Sequence, residues 1–353
     1  VQKILVTTLM MHESIMLLKE QLNNVLQHNK CFTLLPDVLN SAKTTNEKTN
    51  TIIQSWTNER IFNYRSNIIS IYGSFEQFIE SSIKEYVKEL LKVCSSFSEL
   101  DDAIQNKYIE KWKALHGKLH YSKFNAITSN YMVESLYKSQ IENKNEVIAE
   151  CFLLNGGNYK HKEIMESFSN LGVSDICMSL KHYEPLASHF LKNGFDNYAK
   201  IDELVERRNE IAHGANSGEL LSEDIVLDYV DYVAKYACSI TAYLNDQILS
   251  HMWQLRKALG IYKPTNIYSR ESIVEFSVKD LLLKTGMDFL IKRSKDFYPR
   301  YIFGTLPKFR VKNMSIPDSP IEEKRELFGD GDWKFSFQIK DKITINSRFA
   351  FYL

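Results

Sequence analysis

Residues 64–91 read YRSNIISIYGSFEQFIESSIKEYVKELL. With Ile61 just ahead, Tyr64, Ile68, Ile71, Phe75, Phe78, Ile79, Ile83, Tyr86, Val87 and Leu90 recur at steps of three and four. That spacing places apolar side chains on one face of an α-helix. The pattern predicts a single helix from about Glu47 to Val93, and a stripe that long implies a helical bundle to cover it.

Upstream, Ile15, Leu18, Leu22, Val25 and Leu26 mark an amphipathic helix over Met11 to His28, after which CFTLLPDVLNSAKTTNEKTN reads as a connection. Downstream, helical stretches are predicted around 101–116, 131–153, 160–170 and 197–213, separated by the turn-rich LLNGGNY and NLGVSD. Ser222 is the expected N-cap of a further helix, with Glu223 and Asp224 at its positive end. Val226, Tyr229, Val233, Tyr236, Ile240 and Leu244 line one of its faces. Past Gly260 the texture changes: IYKPTNIYSRES supplies turns, KFSFQIKDKITI alternates with period two, and GDGDW (329–333) is expected as a hairpin turn. The expected organisation is mainly α. It comprises an N-terminal helical extension (1–46), a helical domain (47–258) and a small C-terminal α+β module (259–353).

The 353 residues balance 44 Lys+Arg against 44 Asp+Glu, so no global field draws the chain to nucleic acid or to anionic membranes, and any such binding must be local. The five cysteines, Cys31, Cys94, Cys151, Cys177 and Cys238, are scattered without a Cys-x-x-Cys pair, which fits a reducing compartment. No signal-peptide pattern and no membrane-length apolar run is present, so a soluble, cytoplasmic protein is expected.

The chemically interesting stretch is VERRNEIAHG, residues 205–214. On a wheel of about 100° per residue from Ile201, Leu204, Val205, Ile211 and Ala212 share an apolar arc, and Arg208, at about 340°, sits in its middle. Arg207 falls on the polar side and is expected in solvent. An unpaired guanidinium on a core face costs several kcal/mol, so Arg208 requires a carboxylate, a phosphate or a solvated crevice. Asn209 and His213, four apart, flank it. Gly214 also suits a helix stop, with His213 in the last turn favouring the negative end of the dipole. With 11 Arg and 9 His in the chain, roughly 0.8 accidental matches to the Arg–His spacing are expected, so spacing alone decides nothing.

LVERRNEIAHG resembles the signature of the HEPN superfamily: Arg, a polar residue, three residues and His, here Arg208-Asn209-Glu210-Ile211-Ala212-His213. Residues 64–91 are similar to the long early helix of MAE-like HEPN nucleases, and NLGVSDI with IDELVERRNEIAHG to their later half. The resemblance spans roughly residues 50–250 and leaves the tail aside. It implies a HEPN-type bundle and a metal-independent endoribonuclease acting on single-stranded RNA as a homodimer, in a toxin–antitoxin or phage-defence setting with an antitoxin or sensor protein as possible partner. It also implies that His213 moves protons, Arg208 stabilises the phosphate, and Asn209 orients His213 or contacts the scissile group; Glu76, in the similar early helix, is a candidate to enter the site and pair with Arg208, with an exposed glutamate or a structural salt bridge as the plainer reading. A HEPN subclass carries a modified tyrosine two residues after the histidine; that position is Ala215 here, which disfavours a nucleotidyltransferase partner.

IKRSKDFYPRYIFGTLPKFRVK (291–312) concentrates Lys292, Arg293, Lys295, Arg300, Lys308, Arg310 and Lys312 against Asp296, interleaved with Phe297, Tyr298, Tyr301, Phe303 and Phe309. Cations beside aromatic rings are a candidate RNA-binding surface; a strand pair with its aromatics in a core is the plainer reading. His116 and His120 in HGKLH have the spacing of a metal pair but no evident third ligand, so neither a metal nor a cofactor is expected. Two other functions stay open: a non-catalytic HEPN-fold scaffold with Arg208 in a structural ion pair, and a nucleotide-binding module.

Overall fold

The computed structural model describes residues 11–41, 47–153, 158–174, 176–214, 223–255, 260–268, 272–293, 300–314, 321–324, 326–339, 341 and 343–352. The chain divides into two compact units, Met11–Leu244 and Asn245–Leu353. In the first are α1 (Glu13–Ser41), α2 (Glu47–Val93), α3 (Asp102–His116), α4 (Ser129–Gln140), α5 (His161–Ser169), α6 (Ile176–Leu180), α7 (Leu186–Asn193), α8 (Ala199–Ala212) and most of α9 (Glu223–Leu255). No helix of the described residues is long and apolar enough to cross a membrane.

The expected stripe is the buried face of α2: every member except Ile61 is buried, and Ile68, Ile71, Phe75, Ile79 and Ile83 have no exposed surface. The six positions named on α9 are likewise buried. The Phe75 ring meets Tyr236 of α9 edge-on, centroids 5.9 Å apart. An aromatic contact of this kind adds about 0.5–1.5 kcal/mol to the burial itself.

Polar contacts set the register of α1 on α2. Partners of Ser14, Gln21 and Asn29 on α2 are Ser82, Gln77 and Asn67, so the two helices run antiparallel. The buried Glu85 carboxylate accepts the backbone N–H groups of His12, Glu13 and Ser14 at 2.5, 2.8 and 3.0 Å. These are donors that the start of a helix leaves without intrahelical partners. Burial alone would raise the Glu85 carboxyl, but the hydrogen bonds from Ser14, Glu13 and His12 outweigh it and hold it below the ordinary carboxylate value.

Three sequence expectations are corrected. First, α1 continues through residues 31–41, read above as a connection; Pro36 removes one donor, but its fixed φ is nearly helical and interrupts a rung without forbidding the turn. Second, 131–153 is not one helix: Asn143 takes φ 52°. Its Oδ1 accepts the Ser98 N–H (2.9 Å) and its carbonyl the Phe97 N–H (3.1 Å), which turns the chain before the 3-10 turn Ala149–Phe152. Third, GDGDW is not a hairpin turn but part of a strand, as described below. The α6 and α7 helices were not anticipated; residues 154–157 of the turn-rich LLNGGNY, and the expected N-cap Ser222, lie outside the described residues.

The second unit starts with the last turns of α9. Asp246 accepts the Tyr301 N–H (3.3 Å) and pairs with Arg300 (3.6 Å), and Trp253 packs on the Tyr301 ring, so the unit begins earlier than residue 259. Its strands are β1 (Gly260–Tyr262), β2 (Asn266–Tyr268), β3 (Ile273–Lys284), β4 (Asp288–Arg293), β5 (Arg300–Thr305), β6 (Phe309–Asn313), β7 (Glu322–Lys324), β8 (Glu326–Gln338) and β9 (Arg348–Tyr352). They form two antiparallel sheets, ordered β1-β9-β4-β5 and β2-β3-β8-β6-β7. Phe276, Phe335 and Phe337 from one sheet share a core with Phe289, Phe349 and Phe351 from the other. The register of β3 on β8 shifts between Lys279↔Asp332 and Leu281↔Gly329, so Asp330 and Gly331 form a bulge.

Two expectations follow. Glu85→Gln should lower stability by about 1–3 kcal/mol near neutral pH. Because a lowered carboxyl stabilises the fold above its unfolded value and loses that contribution as pH falls through the folded one, the gap between wild type and variant should shrink below about pH 4 in urea melts. Gly172 adopts φ +80° with its Cα facing the Asp101 carboxylate, which caps α3 through the Ala103 N–H (2.8 Å). Gly172→Ala should therefore lose about 2 kcal/mol or more in the same assay, through backbone strain and displacement of the cap.

Candidate active site

On α8, Ile201, Leu204 and Val205 are fully buried and fix which side of the helix faces the bundle. The helix ends at His213, whose N–H donates to the Asn209 carbonyl (2.9 Å), and at Gly214, whose φ of +70° is the left-handed stop that glycine accepts readily. His213 is exposed, and so is Ala212, which the wheel had placed on the apolar arc; a wheel extends that arc along the whole helix, whereas burial of the arc stops before the final turn of α8.

Arg208 lies partly buried against α2, its guanidinium carbon 4.7 Å from the centre of the Tyr72 ring, and its Nη1 donates to Asn209 Oδ1 at 2.9 Å. Such a cation–π contact is worth roughly 0.5–2 kcal/mol, more as water is excluded. The Asn209 side chain is thus turned to Arg208, while its backbone carbonyl accepts the His213 N–H. The Tyr72 hydroxyl accepts the Tyr159 N–H (3.1 Å); burial pushes that hydroxyl up to about 12, against the opposing pull of the Tyr159 hydrogen bond. Tyr72 is therefore a neutral platform for the arginine at physiological pH.

Residues 159–161 reach this platform because each is tied to a helix. Tyr159 binds Tyr72, Lys160 pairs with Glu206 (2.9 Å), and the His161 N–H donates to Asp202 Oδ1 (2.7 Å). Two further carboxylates follow Tyr72 at helical steps along α2. Glu80 pairs with Lys123 and accepts the Tyr159 hydroxyl (3.4 Å). Glu76 is half-buried; its carboxyl is raised by burial and then by the charge of Glu80, with Arg208 and Lys123 pulling the other way. Glu76 thus feels the charge of Arg208, while the hydrogen bond described for Arg208 goes to Asn209.

Arg207 is not in solvent. Its Nε donates to Glu203 Oε1 (2.9 Å) and to the Tyr229 hydroxyl (2.8 Å), and its Nη2 to Glu203 (2.7 Å). Tyr64 of α2 and Tyr229 of α9 flank α8 on the side that a lone wheel assigns to water. Tyr72, Glu80 and Lys123 were missed, although Tyr72 and Glu80 stand four residues either side of Glu76 and so share its face.

The fold disperses the basic segment of the tail. Lys292, Arg293 and Arg300 lie on β4 and β5, whereas Arg310 and Lys312 lie on β6 of the other sheet, with Lys308 exposed just before it. Tyr301 is only 8% exposed and so offers no free stacking face; Lys292 sits over its ring. Lys295 and Tyr298 lie outside the described residues. His116 stacks on Trp112 and His120 against Tyr121. No cluster of three or more metal-ligating side chains occurs among the described residues.

The model of the RiboL-PSP-HEPN family matches residues 29–246. The chain belongs to that family. No curated protein and no solved structure matches it. The matched span of this HEPN protein holds α2, α8 and the whole Arg208–Asn209–His213 segment, and it leaves the β-sheets outside.

A titration tests the arrangement around Arg208. A raised carboxyl stabilises the fold below its unfolded value and loses that contribution as pH rises through the folded one. Glu76→Gln should therefore gain stability relative to wild type as pH rises from about 4 towards neutrality. With Arg208→Met in both chains the pH-dependent gain should be larger, read from urea midpoints; an unchanged gain would separate Glu76 from Arg208.

Proposed function

We propose that the protein is an endoribonuclease that cleaves single-stranded RNA by attack of the ribose 2′-OH on the adjacent phosphorus. The P–O5′ bond breaks, leaving a 2′,3′-cyclic phosphate and a 5′-OH. The observation that carries this reading is the placement of Arg208 on the buried Tyr72 ring, with Asn209 clamping its fork and an exposed His213 at the end of the same helix.

Each side chain suits one part of the reaction. An imidazole titrates near neutrality, so His213 takes the 2′-OH proton or returns one to the leaving oxygen. The fixed charge and planar fork of Arg208 suit a phosphorane whose negative charge grows in the transition state. Asn209 acts by holding Arg208. Proton transfer and charge stabilisation are both supplied by these groups, so the proposed reaction is metal-independent. On an ideal helix Arg208 and His213 project about 140° apart, which favours a homodimer whose second copy completes the site. The HEPN membership, with the likeness to MAE-like nucleases, supports a cytoplasmic role in a toxin–antitoxin or phage-defence system under an antitoxin or sensor protein.

A second reading starts from the same contacts. Tyr72 and Asn209 already engage the Arg208 guanidinium, as a scaffold with a structural arginine would require.

The test is incubation with single-stranded RNA in EDTA, beside His213→Ala and Arg208→Ala. His213 is exposed, so its variant should melt like wild type while losing about 10²-fold or more in cleavage rate, with cyclic phosphate at the wild-type ends. Arg208→Ala should lose a comparable factor. Cleavage surviving in both variants would remove Arg208 and His213 from the chemistry, and a wild type inert on every RNA while Arg208→Ala merely melts earlier would establish the scaffold instead.

A further inference from the structure

The polar face of the five-stranded sheet carries an arrangement that its own stability does not call for. Phe276, Phe335 and Val311 point into the core, so Glu275 and Ser277 of β3, Lys334 and Ser336 of β8, and Arg310 and Lys312 of β6 point away from it. Lys312 and Lys334 are direct cross-strand partners, and Arg310 stands opposite Ser336 beside them. Like charges directly opposite each other destabilise a sheet. Glu275 stands 3.6 Å from Lys334, and the register sets Glu323 of β7 opposite Arg310, which leaves the Lys312–Lys334 pair itself without a carboxylate between them. Beside the cations a groove of about 170 Å³ is edged by Met314 and Ile321, which are 46% and 69% exposed.

We propose that this face binds the phosphate backbone of single-stranded RNA, with Arg310, Lys312 and Lys334 contacting phosphates and the Met314–Ile321 edge covering the apolar face of a base. Three cations against two acidic residues, with two of the cations directly paired across adjacent strands in an otherwise neutral chain, complement a flexible polyanion, and the apolar edge suits a nucleotide better than a bare anion. The face draws only Arg310 and Lys312 from the basic run at 291–312; Lys334, 22 residues beyond Lys312 in sequence, completes it. The choice of RNA among polyanions rests on the proposed ribonuclease function, whereas the site itself does not.

The experiment is fluorescence anisotropy of a labelled oligouridylate on the full chain carrying His213→Ala, so that binding is read without cleavage. Lys312→Gln with Lys334→Gln should weaken binding about tenfold and flatten the slope of log affinity against log salt by about 1.4, the loss of two phosphate contacts. Lys312→Arg with Lys334→Arg should retain binding. Lys19→Gln with Lys30→Gln, exposed on α1, changes net charge equally and should leave it intact. Wild-type affinity in the Lys312/Lys334 glutamine variant, equal weakening by the α1 pair, or binding to phosphatidylserine vesicles but not to RNA would overturn the proposal. RNA binding lost in the glutamine variant alongside a wild type that cuts nothing would sink the ribonuclease and leave this site standing; the converse pair of results would do the opposite.

Discussion

The first unit depends on how α2 is held. A helix of 47 residues gains little from intrinsic propensity, and its persistence comes from packing one face and satisfying the polar groups along it. The apolar face is closed by contacts such as Phe75 on Tyr236. The polar positions are each engaged by another element: Asn67 by Asn29, Tyr72 by Tyr159 and Arg208, Glu80 by Lys123, and Glu85 by the first N–H groups of α1. A buried polar group without a partner costs about 1–3 kcal/mol, so these pairings select one register for α1 and α8 among several that would bury similar apolar area. The Arg208 site is therefore a by-product of how α2 is satisfied: the ring that completes the core also seats the guanidinium.

This explains which parts were legible in the sequence. The bounds of α2 and the inward faces of α2 and α9 follow from periodicity, because burial imposes the period directly. The placement of Arg208 on the inward side of α8 was also readable, since it uses only the geometry of one helix. What it rests on was not, because Tyr72 comes from α2 and Tyr159 from the approach to α5, more than a hundred and about fifty residues away respectively. Arg207 shows the limit most clearly: a wheel knows the angle of a residue but not which angles other helices occupy, and Tyr64 and Tyr229 fill the sector that looked open.

The tail fails to read for a different reason. In 291–312 the eye groups charges by sequence, but strands separate neighbours and join distant residues. Arg300 goes to Asp246, Tyr301 goes inside, and Lys312 meets Lys334 across a ladder. Alternation was visible in KFSFQIKDKITI, and it correctly marks Phe335 and Phe337 as inward; the partner strand, and so the like-charged pair, was not.

Charge also separates the two candidate sites by the work they suit. Around Arg208, the carboxylates Glu76 and Glu80 stand against Arg208 and Lys123, so the locality is close to balanced and attracts a polyanion weakly. Such balance suits a reaction centre, where a guanidinium held by Tyr72 and Asn209 strengthens its interaction as phosphate charge grows rather than gripping the ground state. The sheet face has the opposite character, with an excess of cations and no titratable imidazole among Glu275, Arg310, Lys312, Lys334 and Ser336, which suits retention of a polyanion rather than proton transfer. In a chain whose formal charge sums to zero, affinity for RNA and chemistry on RNA thus make different electrostatic demands, and α8 and the five-stranded sheet each meet one of them.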